Sequence, residues 1–179
     1  MVALLGCLLV MAVTPAVARA AENPLLAIII DDLGNQQRRG MQVVDLPGPV
    51  ACAFMPHTPY AAELAERAHQ AGKEVMLHLP MQPNEMQRIA GLGEISLDNE
   101  RTDLRRILAS DLATVPHVVG INNHMGSLIT RHPGHMAWLM DELASRGNLF
   151  FVDSYTTADS VALKTALEHG VPAVRRHVF

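Results

Sequence analysis

The sequence predicts an α/β domain built on a mainly parallel sheet, and three observations carry that prediction. Short apolar runs recur along the chain and do not alternate strictly, as strands buried on both faces do not. Segments with apolar residues at helical spacing separate those runs. Polar residues capable of chemistry collect where the runs end and are scarce where they begin.

The apolar runs are Leu25–Ile30, Val50–Met55, Glu74–Leu79, His117–Ile121, Leu149–Val152 and Val171–Val174. Tyr60–Ala71 sets Leu64, Ala65 and Ala68 on one helical face and stops at Gly72. Asp103–Val115 carries Leu104, Ile107, Leu108 and Leu112 and stops before Pro116. His135–Arg146 and Ser160–His169 each end at a glycine, Gly147 and Gly170. Strand and helix therefore alternate, which is the pattern of βα units. The stretch from Pro80 to Asn99 exceeds ordinary βα loop lengths and is a candidate functional loop. Six strands are compatible with either an open sheet or a barrel.

The chain has 179 residues, the length of one domain with a real core. A formal net charge of −4 excludes the basic face that non-specific nucleic-acid binding needs. Aromatic residues make up 4%, so no aromatic-lined sugar groove is evident. Residues 1–20 read as a secretory signal peptide. An apolar stretch from Met1 to Val13 is followed by Thr14-Pro15 and the small-x-small sequence Ala18-Arg19-Ala20. The expected product starts near Ala21, lies in the periplasm and has no stable membrane span. The alternative is an uncleaved anchor. With the leader gone, Cys52 is the one cysteine left and reads as a small buried hydrophobe.

Parallel α/β folds bind ligands beyond the carboxyl ends of their strands. Those ends carry Asp31-Asp32, Met55-Pro56-His57, His78-Leu79-Pro80, Asn122-Asn123-His124 and Asp153-Ser154. Adjacent carboxylates beside a buried sheet repel unless a cation or a proton intervenes; the plainer role is capping the next helix. His78 sits inside an apolar run, where a lone histidine is more often a satisfied core residue than a ligand. His124 lies in a tight, polar, glycine-containing turn just past a strand, where no core packing asks for it. One carboxylate and two imidazoles, Asp32, His78 and His124, make a plausible facial metal set, with zinc the default cation. His57 shares the same rim. His69, His132, His135 and His169 are expected to be solvated.

Four stretches, Ile28 to Gly34, Glu74 to Met81, Gly120 to Ser127 and Phe151 to Ser154, resemble the divergent polysaccharide deacetylases, distant relatives of the NodB-type carbohydrate deacetylases. The similarity covers the chain from about Leu25 onward, and the Asn-Asn-His-Met-Gly-Ser sequence with its upstream Asp-Asp is its specific part. The resemblance implies a distorted (β/α) barrel over residues 24–179, incomplete at its carboxyl end. It also implies Asp31 as general base and Asp32 as metal ligand. NodB-type enzymes draw their histidines from a His-x-x-x-His pair that this sequence lacks, so here the carry-over falls on His78 and His124. The expected activity is metal-assisted removal of acetyl groups from an envelope polysaccharide, with His57 or Asp153 orienting the base or protonating the leaving amine. The alternative is a non-catalytic envelope protein that binds glycan or a protein partner. A sugar-phosphate enzyme would require a glycine-rich phosphate loop, which is absent.

Overall fold

A computed structural model describes residues 25–84 and 90–178. The expected leader, residues 1–20, lies outside them. Six strands form one parallel sheet in sequential order, β1 (Ile28–Leu33), β2 (Val50–Phe54), β3 (Glu74–Met81), β4 (Val118–Met125), β5 (Phe150–Asp153) and β6 (Ala173–Arg175). The helices are α1 (Gln37–Val44), α2 (Ala61–Gln70), α3 (Arg101–Thr114), α4 (Pro133–Arg146) and α5 (Ala162–Glu168). The sheet is not closed, since β1 and β6 are its edges. Its order never reverses, so right-handed crossovers lay successive helices on the same face, as in a barrel.

The two faces of the sheet differ in what they carry. Cys52, Phe54, Leu77, Leu79, Ile121 and Phe151 project into the large core, where Leu64, Leu104, Leu108, Leu139 and Met140 of the helices meet them. The residues that alternate with these, Ala51, Ala53, Met76 and Val152, form a small separate cluster on the opposite face. By the same parity, His78, Asn122 and His124 belong to that second face. Cys52 is fully buried, as its sequence context predicts.

Local chemistry sets the helix limits. The Asp103 carboxylate accepts the Glu100 N–H and closes the start of α3. Pro133 opens α4, and Gly147, at φ 78°, ends it in the left-handed conformation.

Several expectations need correction. Strand β1 begins at Ile28 rather than Leu25 and closes with Asp31, Asp32 and Leu33, so both carboxylates stand at its carboxyl end, as expected. It is also an exposed edge, not a strand buried on both faces. Strands β3 and β4 extend to Met81 and Met125, so His124 is a strand residue paired with Pro80, not part of a turn. Helix α1 escaped the reading because its segment is short and strongly polar, with two arginines and two glutamines. His135 is only 6% exposed. It makes hydrogen-bond contacts with His132 Nδ1 at 3.0 Å and with the Asn99 carbonyl at 3.1 Å, and burial lowers its pKa. His169 is half-buried and contacts Asp141 at 2.8 Å, whereas His69 and His132 are exposed as expected, His69 stacking on His117 at 3.9 Å. These side chains have protein partners that a one-dimensional reading does not show.

Candidate metal centre and the cleft beside it

Strand β1 carries one more residue than its partner where it passes the two aspartates. Ile30 pairs with Cys52, yet the next pair is Leu33 with Phe54. This bulge, together with a φ of 61° at Asp32, breaks the side-to-side alternation of the strand. Adjacent carboxylates that would otherwise face opposite ways both reach His78. Asp32 Oδ1 lies 3.3 Å from His78 Nε2, and Asp31 Oδ1 lies 3.7 Å from His78 Nδ1.

His124 completes the group. Its Nδ1 is 3.0 Å from Asp32 Oδ1 and 3.1 Å from His78 Nε2, while the two rings meet edge to face. Three ligating atoms from β1, β3 and β4 thus converge; among the described residues, Asp32, His78 and His124 are the set placed to hold a metal ion. A triangle of this size suits an ion at about 2.0–2.1 Å from each imidazole nitrogen.

Neighbouring hydrogen bonds fit the same purpose. His78 Nδ1–H donates to Asn122 Oδ1 at 2.9 Å, and Asn122 Nδ2 donates to Asp31 Oδ1 at 2.8 Å. An amide oxygen only accepts, so His78 must carry its proton on Nδ1 and present the Nε2 lone pair to the centre. Two imidazole nitrogens and a carboxylate oxygen then face one another with few protons between them, a donor set that suits a cation. The neighbouring imidazoles, His124 first and then His78, hold the Asp32 carboxyl well below the usual carboxylate range.

Asp153 and His57 stand differently. Asp153 is buried, and both its oxygens are used: Oδ1 accepts the Tyr155 N–H at 2.9 Å and Oδ2 the Ser160 hydroxyl at 2.8 Å. Asn123, which received no role from sequence, braces the same corner by accepting the Ser154 N–H at 2.8 Å. His57 sits across a cleft of about 430 Å³ whose lining also includes Asp32, His124, Asn35, Met55 and Leu92. Its Nε2 lies 2.8 Å from Asp111 Oδ1, on α3. Asp111 was missed entirely, although it falls on the apolar stripe of α3 with Leu104 and Leu108, where a carboxylate is out of place. Among the described non-glycine residues, five have positive φ. Four of them, Asp32, His57, Met125 and Tyr155, stand at or just past the carboxyl ends of strands, and Asp32 and His57 line this cleft, where backbone strain commonly accompanies function.

Comparison with known proteins agrees with this picture. The divergent polysaccharide deacetylase profile matches residues 28–179. The uncharacterised protein YibQ of Escherichia coli is 38% identical over 154 residues, which is 86% of this chain and 48% of that protein. An uncharacterised protein of Haemophilus influenzae is 35% identical over 154 residues, covering 86% and 54%. The chain therefore spans about half the length of these relatives. The crystal structure of an uncharacterised protein from Agrobacterium tumefaciens shares the fold with a TM-score of 0.80 at 21% identity, over 86% of this chain and 63% of that one. On the extent of the profile match and the identity to these relatives, the chain belongs to the divergent polysaccharide deacetylase family.

Proposed function

We propose that the protein is a metal-dependent hydrolase that removes N- or O-linked acetyl groups from a cell-envelope polysaccharide, acting outside the cytoplasm after loss of its leader. The observation that carries this reading is the convergence of Asp32, His78 and His124 at the open end of the sheet, beside a second carboxylate, Asp31. A divalent cation, with zinc the default for this donor set, supplies carbonyl polarisation and acidification of water when bound.

The chain's own residues have separable tasks. Asp32, His78 and His124 hold the cation. Asp31 accepts the proton of the attacking water; its Oδ1 is fixed by Asn122, and its side chain is 36% exposed, so solvent and substrate can reach it. Asn122 sets the tautomer of His78 and the position of Asp31 together. His57, across the cleft, is the residue placed to serve the leaving group. Asp153, with both oxygens engaged, acts as a strut for the β5 end.

Zinc content of the purified chain, followed by acetate release from N-acetylated glucosamine oligomers, tests the reading. Stoichiometric zinc with acetate release supports it. Chain that binds such oligomers but releases no acetate with any divalent cation would instead make it a glycan-binding protein on an enzyme's fold.

A further inference from the structure

Resting on that reading, we infer that Asp111 is the positioning residue of the leaving-group acid. Buried on α3, it holds the His57 imidazole by Nε2 and leaves Nδ1 as the ring nitrogen for the bound substrate. The geometry is specific. Asp111 is fully buried, its Oδ1 meets His57 Nε2 at 2.8 Å, and its Oδ2 is buried with no partner among the described residues. Backbone contacts bind the two elements into one unit: the His57 N–H donates to Thr114 Oγ1 at 3.3 Å, and that hydroxyl donates to the Asp111 carbonyl at 2.7 Å. Gly93 lies so close that a Cβ there would meet Asp111 Oδ1 at 2.1 Å, which seals the carboxylate from water. A buried carboxylate with one oxygen unpaired costs stability, and among the described residues its one ionisable partner is a histidine on the rim of the cleft.

The step balances as follows. His57 starts as imidazolium, with Nε2–H on Asp111 and Nδ1–H toward the cleft. As the bond between the acyl carbon and the leaving nitrogen breaks, its electron pair goes to nitrogen, and the Nδ1 proton joins it to give the free amine. Water supplies the hydroxyl of the acetic acid, and its other proton goes to Asp31. Neutral His57 keeps Nε2–H on Asp111; solvent then removes the proton from Asp31 and restores that on His57. Asp111 touches no substrate; it fixes the ring and stabilises its charged form.

Burial pushes the Asp111 carboxyl up to about 6, against the pull of His57. A carboxyl raised on folding contributes stability that is complete below its ordinary value of 3.8 and lost as pH rises through about 6. Asp111→Asn removes that ionisation while its amide oxygen still accepts Nε2–H from neutral imidazole. The zinc-loaded chain and its Asp111→Asn and His57→Gln variants are therefore compared in three ways: thermal melts at pH 5 and pH 8, the ¹⁵N tautomer signals of His57, and hydrolysis of two probes. N-acetylated glucosamine oligomers have a poor leaving group that needs an acid; p-nitrophenyl acetate has a good one that does not. The expected result for Asp111→Asn is a gain in melting temperature at pH 8 that shrinks at pH 5. Its ratio of amide to aryl-ester rate should fall about tenfold or more, and that of His57→Gln by roughly 10²–10⁴. Loss of stability at both pH values with both rates lowered in proportion would make Asp111 structural and overturn the inference. Zinc-loaded wild-type chain that hydrolyses neither probe would sink the hydrolase reading, and the acid role with it. The melts and tautomer signals would still report whether Asp111 holds His57.

Discussion

Asp31 and Asp32 are adjacent and chemically identical, yet the structure gives them different neighbours. Asp32 faces the nitrogen of His78 that points into the metal centre, while Asp31 faces the opposite nitrogen through Asn122. Asp32→Asn replaces an anionic ligand by a neutral amide and should weaken zinc binding and activity together. Asp31→Asn should retain zinc and slow acetate release by roughly 10²–10⁴-fold, the usual worth of a positioned general base. Equal loss of zinc in both variants, measured by equilibrium dialysis, would mean that the pair acts as a joint ligand. Asn122→Ala removes the group that fixes the His78 tautomer and should weaken zinc binding by about 10–100-fold with no ligand atom touched. Undiminished affinity in that variant would show that His78 needs no such support. Asp32, His78 and His124 were legible because polar groups able to bind a cation recur at three strand ends, although Asp32 and His78 taken singly each have a plainer structural role. Asn122 was visible only as part of a motif, because its role depends on lying opposite His78 in the β3–β4 register.

At the level of elements, the site depends on how the β1–α1 turn seats against the β2–α2 turn. Gly34 has φ 116°, and a Cβ on it would come within 2.1 Å of Thr58 Oγ1. That hydroxyl donates to the Met55 carbonyl at 2.8 Å, and the Gly34 carbonyl accepts the Tyr60 N–H at 3.0 Å. Gly34→Ala should therefore cost about 1–3 kcal/mol by chemical denaturation, from backbone strain and overpacking together. Asp32 lies at the end of β1, just before the first of these turns, and His57 lies on the second, so zinc affinity should fall in that variant as well. Unchanged stability and affinity would mean that the two turns move independently. The β1 bulge is the other device at this scale. Strict alternation would send one aspartate toward the helices, and no run of apolar residues announces that the alternation breaks at Asp32.

For the whole molecule, three strands distant from one another in sequence contribute the candidate metal ligands, so zinc should act as a clasp across β1, β3 and β4. Zinc at a hundredfold excess over Kd should add about 2.7 kcal/mol, on the order of 5–10 °C in Tm for a domain of this size. Chelation by EDTA should reverse it; a Tm indifferent to zinc and EDTA would count against the site. Among the described residues, no helix is long and apolar enough to cross a membrane. By itself, the sequence determined the βα alternation, the end of the sheet where polar residues gather, and the three residues of the candidate metal set, because burial and helical period leave a one-dimensional trace. The tertiary structure alone decided that both aspartates reach His78, that Asn122 fixes its tautomer, and that a carboxylate on α3 grips His57. Those facts depend on register, on a bulge and on which helix face meets which turn, and these are set by packing between segments distant in the chain.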